Sequence, residues 1–214
     1  MDRVWSAEFV VDADLARSLI EAQFPTLAPA SVVPTGVGWD NTAFLVNDAF
    51  VFRFPRRGIA APLIEAEARL LPAVAPGLPL AVPRPGFIGR PTDAYPYPFA
   101  GHVLVPGRTA CAAALGDGQR SAFAGPLGAF LAALHAFPAA DAARFGAGHD
   151  TIRRLDIGYR LPKAREALEM LVRRRLVRDA RPFATILDAA PGDFTPQSIT
   201  PEGRPSSSTR RWRA

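Results

Sequence analysis

Gly36-Val37-Gly38-Trp39-Asp40-Asn41-Thr42-Ala43-Phe44-Leu45-Val46-Asn47-Asp48-Ala49-Phe50-Val51-Phe52-Arg53-Phe54-Pro55 is the stretch whose reading decides the fold. Two β-rich runs, Thr42–Val46 and Phe50–Phe54, flank Asn47-Asp48, a turn signal without its usual glycine. In the second run Phe50, Phe52 and Phe54 share one face, and Val51 and Arg53 the other. An arginine inside an apolar strand is costly to bury unless it meets an anion. The glycine-containing loop before the first run can offer backbone N–H groups to that same anion. The spacing therefore predicts a lid over a phosphate, with a cation reaching in from the next strand.

Outward from this hairpin, Asp12–Phe24 has helical spacing, a capping Asp12 and a closing Pro25. Ser31–Thr35 is expected as a first strand. Ile59–Val74 is expected as a helix with Pro62 in its first turn and Pro72 near its end. Short strands are expected at Leu80–Val82 and Gly86–Ile88, and another at His102–Val105. Everything after Thr109 reads as helical. Ser121–Phe137 carries Phe123, Leu127, Phe130, Leu131 and Leu134 on an expected core stripe, and Ile157–Arg178 is a charged helix. Pro201–Ala214 is Ser- and Arg-rich and reads as disordered.

Composition narrows the function. The 214 residues are 49% hydrophobic and 21% charged, a globular balance. No run of about 18 apolar residues predicts a membrane span, and Met1–Trp5 lacks a signal-peptide pattern. The single Cys111 excludes an internal disulfide and fits a cytoplasmic location. The net charge is +5, but Arg204, Arg210, Arg211 and Arg213 against Glu202 place +3 of it in the last stretch. The body is nearly balanced, so no nucleic-acid partner is expected, and Arg173-Arg174-Arg175 reads as a solvated helix face. Lys163 is the only lysine, which leaves Arg53 as the cation available to a phosphate in the front half. His102, His135 and His149 lack ligand-type spacing, so no zinc site is expected.

The motifs, taken together, resemble the aminoglycoside phosphotransferase family of protein-kinase-like small-molecule kinases. The resemblance rests on G-x-G-W-D-N-T-x-F-L-V, V-F-R-F-P-R-R, Glu67–Pro72, Pro83-Arg84-Pro85, Tyr97–Gly107 and Leu127–His135. It covers residues 15–140 well. It implies an α+β, two-lobe fold with a complete N-lobe over residues 1–106, a partial helical C-lobe over 107–200 and a basic tail over 201–214. It implies ATP and magnesium as cofactors and a small-molecule hydroxyl as acceptor. Phosphoryl transfer needs positioning and charge neutralisation more than covalent chemistry. On the resemblance, Gly36, Gly38 and Asn41 belong to the phosphate cover. Arg53 stands where kinases place a strand lysine, with Glu67 or Glu65 as its helix partner. Val51, Val103 and Val105 line the base pocket and hinge.

The family's catalytic loop has the form H-G-D-x-x-x-x-N, and Pro191–Ser198 matches it at Gly192 and Asp193. Asp193 is thereby the expected base for the acceptor hydroxyl. Pro191 replaces the His, and Ser198 replaces the metal-binding Asn with a poorer magnesium ligand. The family's next feature, a strand ending in a magnesium-binding Asp, has no counterpart after Glu202. If the codons of Ser206–Arg213 end in G, a shifted frame reads Val-Val-Asp-Ala-Ala-Val-Ala, which restores that strand. A frameshifted terminus is therefore expected, and with it impaired activity. The competing expectations are a pseudokinase or nucleotide-binding module, and a non-functional truncated product.

Overall fold

The structure is a computed structural model and describes residues 6–147, 153 and 156–189. These residues fall into two compact units divided between Pro138 and Ala139.

The first unit is built on a five-stranded antiparallel sheet of order β1-β2-β3-β5-β4. The strands are β1 (Val32–Val37), β2 (Asn41–Val46), β3 (Phe50–Pro55), β4 (Pro85–Gly89) and β5 (Phe99–Val103). The hairpin forms in the expected register, with Phe44 opposite Phe52 and Ala43 opposite Arg53. Asn47 and Asp48 both take positive φ, near 50° and 53°. That is the backbone of a type I′ turn, whose twist suits a two-residue hairpin. Asparagine earns its place there by reach: Oδ1 accepts from the Ser31 amide at 2.8 Å, and Nδ2 donates to the Leu27 carbonyl at 2.9 Å.

One face of the sheet is the core. Phe44, Val46, Phe52, Phe54 and Phe99 are buried there against Ala16, Leu19 and Ile20 of helix α1 (Ala13–Gln23). Asp12 Oδ1 caps that helix by accepting from the Leu15 amide at 2.8 Å. Phe54 and Phe99 stack at 4.5 Å between centroids, and Tyr95 meets Phe54 edge-on at 5.6 Å. Each ring buried to this degree contributes about 2 to 3 kcal/mol of transfer free energy. The Tyr95 hydroxyl is spared a desolvation penalty because it donates to the Pro55 carbonyl at 2.6 Å.

The opposite face meets helix α2 (Ala61–Val74), which contacts β4 and β5. Pro62 sits in its first turn, where a missing N–H costs nothing. Downstream lie α3 (Ala110–Ala113), α4 (Asp117–His135) and, in the second unit, α5 (Ala139–Arg144), α6 (Ile157–Arg173) and α7 (Arg181–Asp188). The α+β class holds, and among the described residues the elements after Thr109 are all helices. No described helix is long and apolar enough to cross a membrane.

Several boundaries differ from expectation. β1 runs on to Val37, so Gly36 lies inside a strand, paired with Ala43 past an irregularity at Pro34/Gly36. Leu80–Val82 is not a strand, because the prolines at 79 and 83 cannot donate to a ladder. β5 begins at Phe99 and ends at Val103, so Leu104 and Val105 lie beyond the sheet. The stripe on α4 is not buried: Phe123, Leu127, Leu131 and Leu134 are exposed.

Candidate functional site

The face that carries Arg53 is assembled by strand register. Paired residues share a face, so Gly36, Ala43, Arg53 and Ala100 form one row across β1, β2, β3 and β5. Arg53 is thus flanked by two alanines, and a side chain of its length has room to lie across the sheet. A Cβ added at Gly36 would meet nothing within 4 Å. The protein itself leaves that end of the row open.

Arg53 Nη2 donates to Glu67 Oε2 of α2. The pair is partly exposed, at 25% and 42%. Glu65 is exposed and takes no part in it. Arg53 Nε is buried with no partner, and so is Asn41 Oδ1. Asn41 lies opposite Pro55, two residues along from Arg53 and on the same face. One side of this face therefore holds an unanswered donor and an unanswered acceptor. A buried polar atom without a partner costs on the order of 1 to 3 kcal/mol, so such atoms mark places where something polar is missing. A phosphate oxygen is one acceptor that suits a guanidinium N–H such as that of Arg53 Nε.

Val51 lies opposite His102 on the same face. His102 is buried, with Nδ1 2.9 Å from the Val103 carbonyl. At that distance Nδ1 carries the proton and donates. Val103 is paired with Phe50 and so points to the other face, and it is 66% exposed. Val105 is exposed as well. Val51 and Arg53 thus share a face with His102, while the Val103 side chain does not join them.

The loop Gly38–Asn41 is closed by the Gly38 amide, which donates to the Asn41 carbonyl at 2.8 Å. Arg56 and Arg57, directly after β3, reach it: Arg56 Nη1 donates to the Gly38 carbonyl at 2.7 Å, and Arg57 Nη1 lies 3.6 Å from Asp40 Oδ1. Neither arginine was expected in the site. Their signal was the hairpin register, which brings the residues after Pro55 beside those before Asn41. On the far side Glu8 Oε2 accepts from the Gly58 amide at 2.7 Å and the Tyr97 hydroxyl at 2.9 Å. These bonds, the backbone one foremost, hold the Glu8 carboxyl below the usual carboxylate range.

Asp193 and Ser198 lie outside the described residues. Among the described residues no group of three His, Cys, Asp or Glu side chains is placed to hold a metal. The described residues do not compose a magnesium site.

The sequence model of the phosphotransferase enzyme family matches residues 31–198. No curated protein sequence matches the chain. Among solved structures, the GDP complex of a point variant of aminoglycoside 2′-phosphotransferase-IIIa is 29% identical, with a TM-score of 0.65, over 82% of this chain and 57% of that one. The GDP and kanamycin complex of APH(2″)-IIIa is 30% identical, with a TM-score of 0.62, over 79% and 56%. The macrolide 2′-phosphotransferase MphH from Brachybacterium faecium, 22% identical over 74% and 59% with a TM-score of 0.50, shares the fold. The chain therefore spans a little under three-fifths of the length of these structures. The protein-kinase-like α+β fold expected from the sequence is the fold they share with it. The family match runs from the first strand of the sheet through the helices, across the face that carries Arg53 and Glu67, and the chain belongs to the phosphotransferase enzyme family.

Proposed function

We propose that this chain binds a nucleoside triphosphate on the Arg53 face of its sheet, as the nucleotide-binding part of an ATP-dependent phosphotransferase for a small-molecule hydroxyl. The observation that carries the reading is the Arg53–Glu67 pair, with Arg53 Nε left buried and unanswered beside Asn41 Oδ1. Glu67 fixes one arm of the guanidinium. The remaining N–H groups are aimed by that contact and stay available to a phosphate oxygen. A guanidinium is a planar fork, so it can hold two oxygens of one phosphate where an ammonium acts as a point charge. Gly36, Gly38 and Asn41 cover the phosphates in this reading. Val51 and the backbone of Val103–Val105 receive the base.

Asp193 is the proposed base for the acceptor hydroxyl, and Ser198 the proposed, weak magnesium ligand. With Pro191 and Ser198 where the family has His and Asn, transfer is impaired and nucleotide binding outlasts it. Support for a small-molecule acceptor comes from the aminoglycoside and macrolide phosphotransferases among the structural neighbours. Nucleic acid and membrane are not partners in this reading, and the setting is the cytoplasm. The domain scheme proposed is a nucleotide-binding lobe over 1–106, a helical lobe over 107–200 and a basic tail over 201–214.

The test is titration with fluorescent ATP and GTP analogues. The intact chain is expected to bind at least one of them, and Arg53→Met to weaken it tenfold or more, the loss of a charge-assisted contact. Absence of binding at millimolar nucleotide refutes the reading. Vigorous ATP turnover abolished by Asp193→Ala would refute only the impairment.

A further inference from the structure

Both arginines that follow β3 reach back to Gly38-Trp39-Asp40-Asn41, the tip between β1 and β2. Arg56 holds this tip twice, with its amide donating to the Asp40 carbonyl at 2.8 Å and its Nη1 to the Gly38 carbonyl at 2.7 Å. Its own carbonyl accepts from the Glu8 and Phe9 amides at 2.9 and 3.0 Å, so one residue ties the tip to the N-terminal segment. Arg57, only 16% exposed at its side chain, brings Nη1 to 3.6 Å from Asp40 Oδ1.

These contacts have a definite electrostatic sense. A loop that covers an anion must turn its amides toward the ligand and its carbonyls away. Arg56 engages two carbonyls, the groups that would repel a phosphate. Asp40 puts a full negative charge in the same tip, and Arg57 offsets it. A glycine-containing tip left unheld samples many backbone states, and ordering it on binding costs affinity.

We propose that Arg56 and Arg57 are positioning residues for triphosphate binding: Arg56 pre-sets the 38–41 tip, and Arg57 neutralises Asp40 within it. This rests on the nucleotide-binding reading given above. Both arginines act through the loop. Their effect therefore falls on the phosphates and spares the base.

The test uses the full chain with Arg56→Met, Arg56→Lys and Arg57→Met, and two readouts. The first is hydrogen exchange at the amides of residues 38–41 without ligand. The second is titration with a fluorescent triphosphate and, in parallel, with the matching nucleoside. Arg56→Met keeps its backbone bonds, so the sheet is expected to stand while exchange at the tip quickens about tenfold. Triphosphate affinity is expected to fall about tenfold and nucleoside affinity less than twofold. Arg56→Lys, which retains one charged donor, is expected to recover part of the loss. Arg57→Met is expected to weaken triphosphate binding in low salt more than in high salt, where the partly exposed Asp40 charge is screened. Triphosphate affinity unchanged in both Met variants overturns the proposal and leaves the nucleotide reading intact. Equal losses for nucleoside and triphosphate overturn it too. An unaltered chain that binds no triphosphate overturns both, whatever the exchange rates. If Arg56→Met fails to fold, Arg56→Lys and Arg57→Met decide the matter by the same criteria.

Discussion

Gly101→Ala should destabilise the sheet by an amount that its surroundings fix. A Cβ at Gly101 would lie 2.5 Å from Phe52 Cε1 and Cζ and 2.7 Å from Cε2. Ordinary carbon contacts begin near 3.5 Å, so the ring must move by roughly 1 Å. It has little room to do so. Phe52 is fully buried, with the rings of Phe24, Phe87 and Phe99 at 5.9, 5.5 and 6.4 Å between centroids. Overpacking a core site typically costs about 1 to 3 kcal/mol, and this closed ring cage places the cost near the upper end. Alanine's better strand propensity returns under about 1 kcal/mol. The net expectation is about 2 kcal/mol, or some 4 to 8 °C for a protein of this size. Near-UV circular dichroism through a urea titration reads it, since the aromatic cluster itself supplies the signal. The double variant Phe52→Leu/Gly101→Ala should lose less than the sum of the two single changes, by more than 1 kcal/mol. A Gly101→Ala midpoint within 1 °C of the parent, or strictly additive losses, would refute the argument that these two residues share one volume.

Two further outcomes follow from hydrogen bonds between side chains and backbone. Asn47→Ala should cost about 2 to 3 kcal/mol, because it removes the bonds to Ser31 and Leu27 and leaves a non-glycine residue at positive φ. Asn47→Gly, which relieves the φ strain alone, should cost less, and paired urea midpoints check the order. Tyr95→Phe should cost about 1 to 2 kcal/mol by orphaning the Pro55 carbonyl. Burial pushes the Tyr95 phenol well above its ordinary value near 10. The unfolded phenol therefore ionises from about pH 10 while the folded one stays protonated. Its contribution to stability is whole below that pH and declines above it, by up to about 1.4 kcal/mol per pH unit. Denaturation midpoints from pH 8 to 11 should show that decline in the parent and a weaker one in Tyr95→Phe.

The hairpin was legible because its alternation is strict: every second residue from Thr42 to Val46 is buried, as the spacing demands. Glu67 was the expected partner of Arg53, with Glu65 as the alternative, and the pair forms with Glu67. α2 buries Ile64 and Val74, and Glu67 follows Ile64 by three positions, on the same helix face, while Glu65 is exposed. β5 was misplaced because its interior is Ala100-Gly101-His102, which carries no apolar rhythm. Gly101 stands opposite Phe52, whose ring leaves no room for a Cβ there, a tertiary fit that no local pattern states. The α4 stripe failed for the converse reason. Its periodicity reports a face able to be buried, and periodicity does not say which element buries it. Arg56 was invisible as a loop holder because its partners are backbone carbonyls, which any sequence supplies, and Arg57 because only the register brings it beside the Asp40 carboxylate.

The unanswered Nε of Arg53 separates a binding role from a structural one. An arginine kept only for the fold would satisfy its donors within the fold or extend them to water. Arg53 does neither at Nε: it is held in the central strand β3 between Ala43 and Ala100, with one arm given to Glu67. Without ligand that arrangement costs stability. The orphaned N–H costs about 1 to 3 kcal/mol, and a partly exposed ion pair returns at most about 1 kcal/mol. Arg53→Met removes the orphan, keeps apolar cover over the alanines, and leaves Glu67 with access to water. The ligand-free variant should therefore be at least as stable as the parent, by 0 to about 2 kcal/mol, while its triphosphate affinity falls. Stability gained where binding is lost is the signature of a site strained for function. A ligand-free Arg53→Met that melts several degrees below the parent would show that the arginine supports the sheet, and the case for a phosphate above it would lose its chief support.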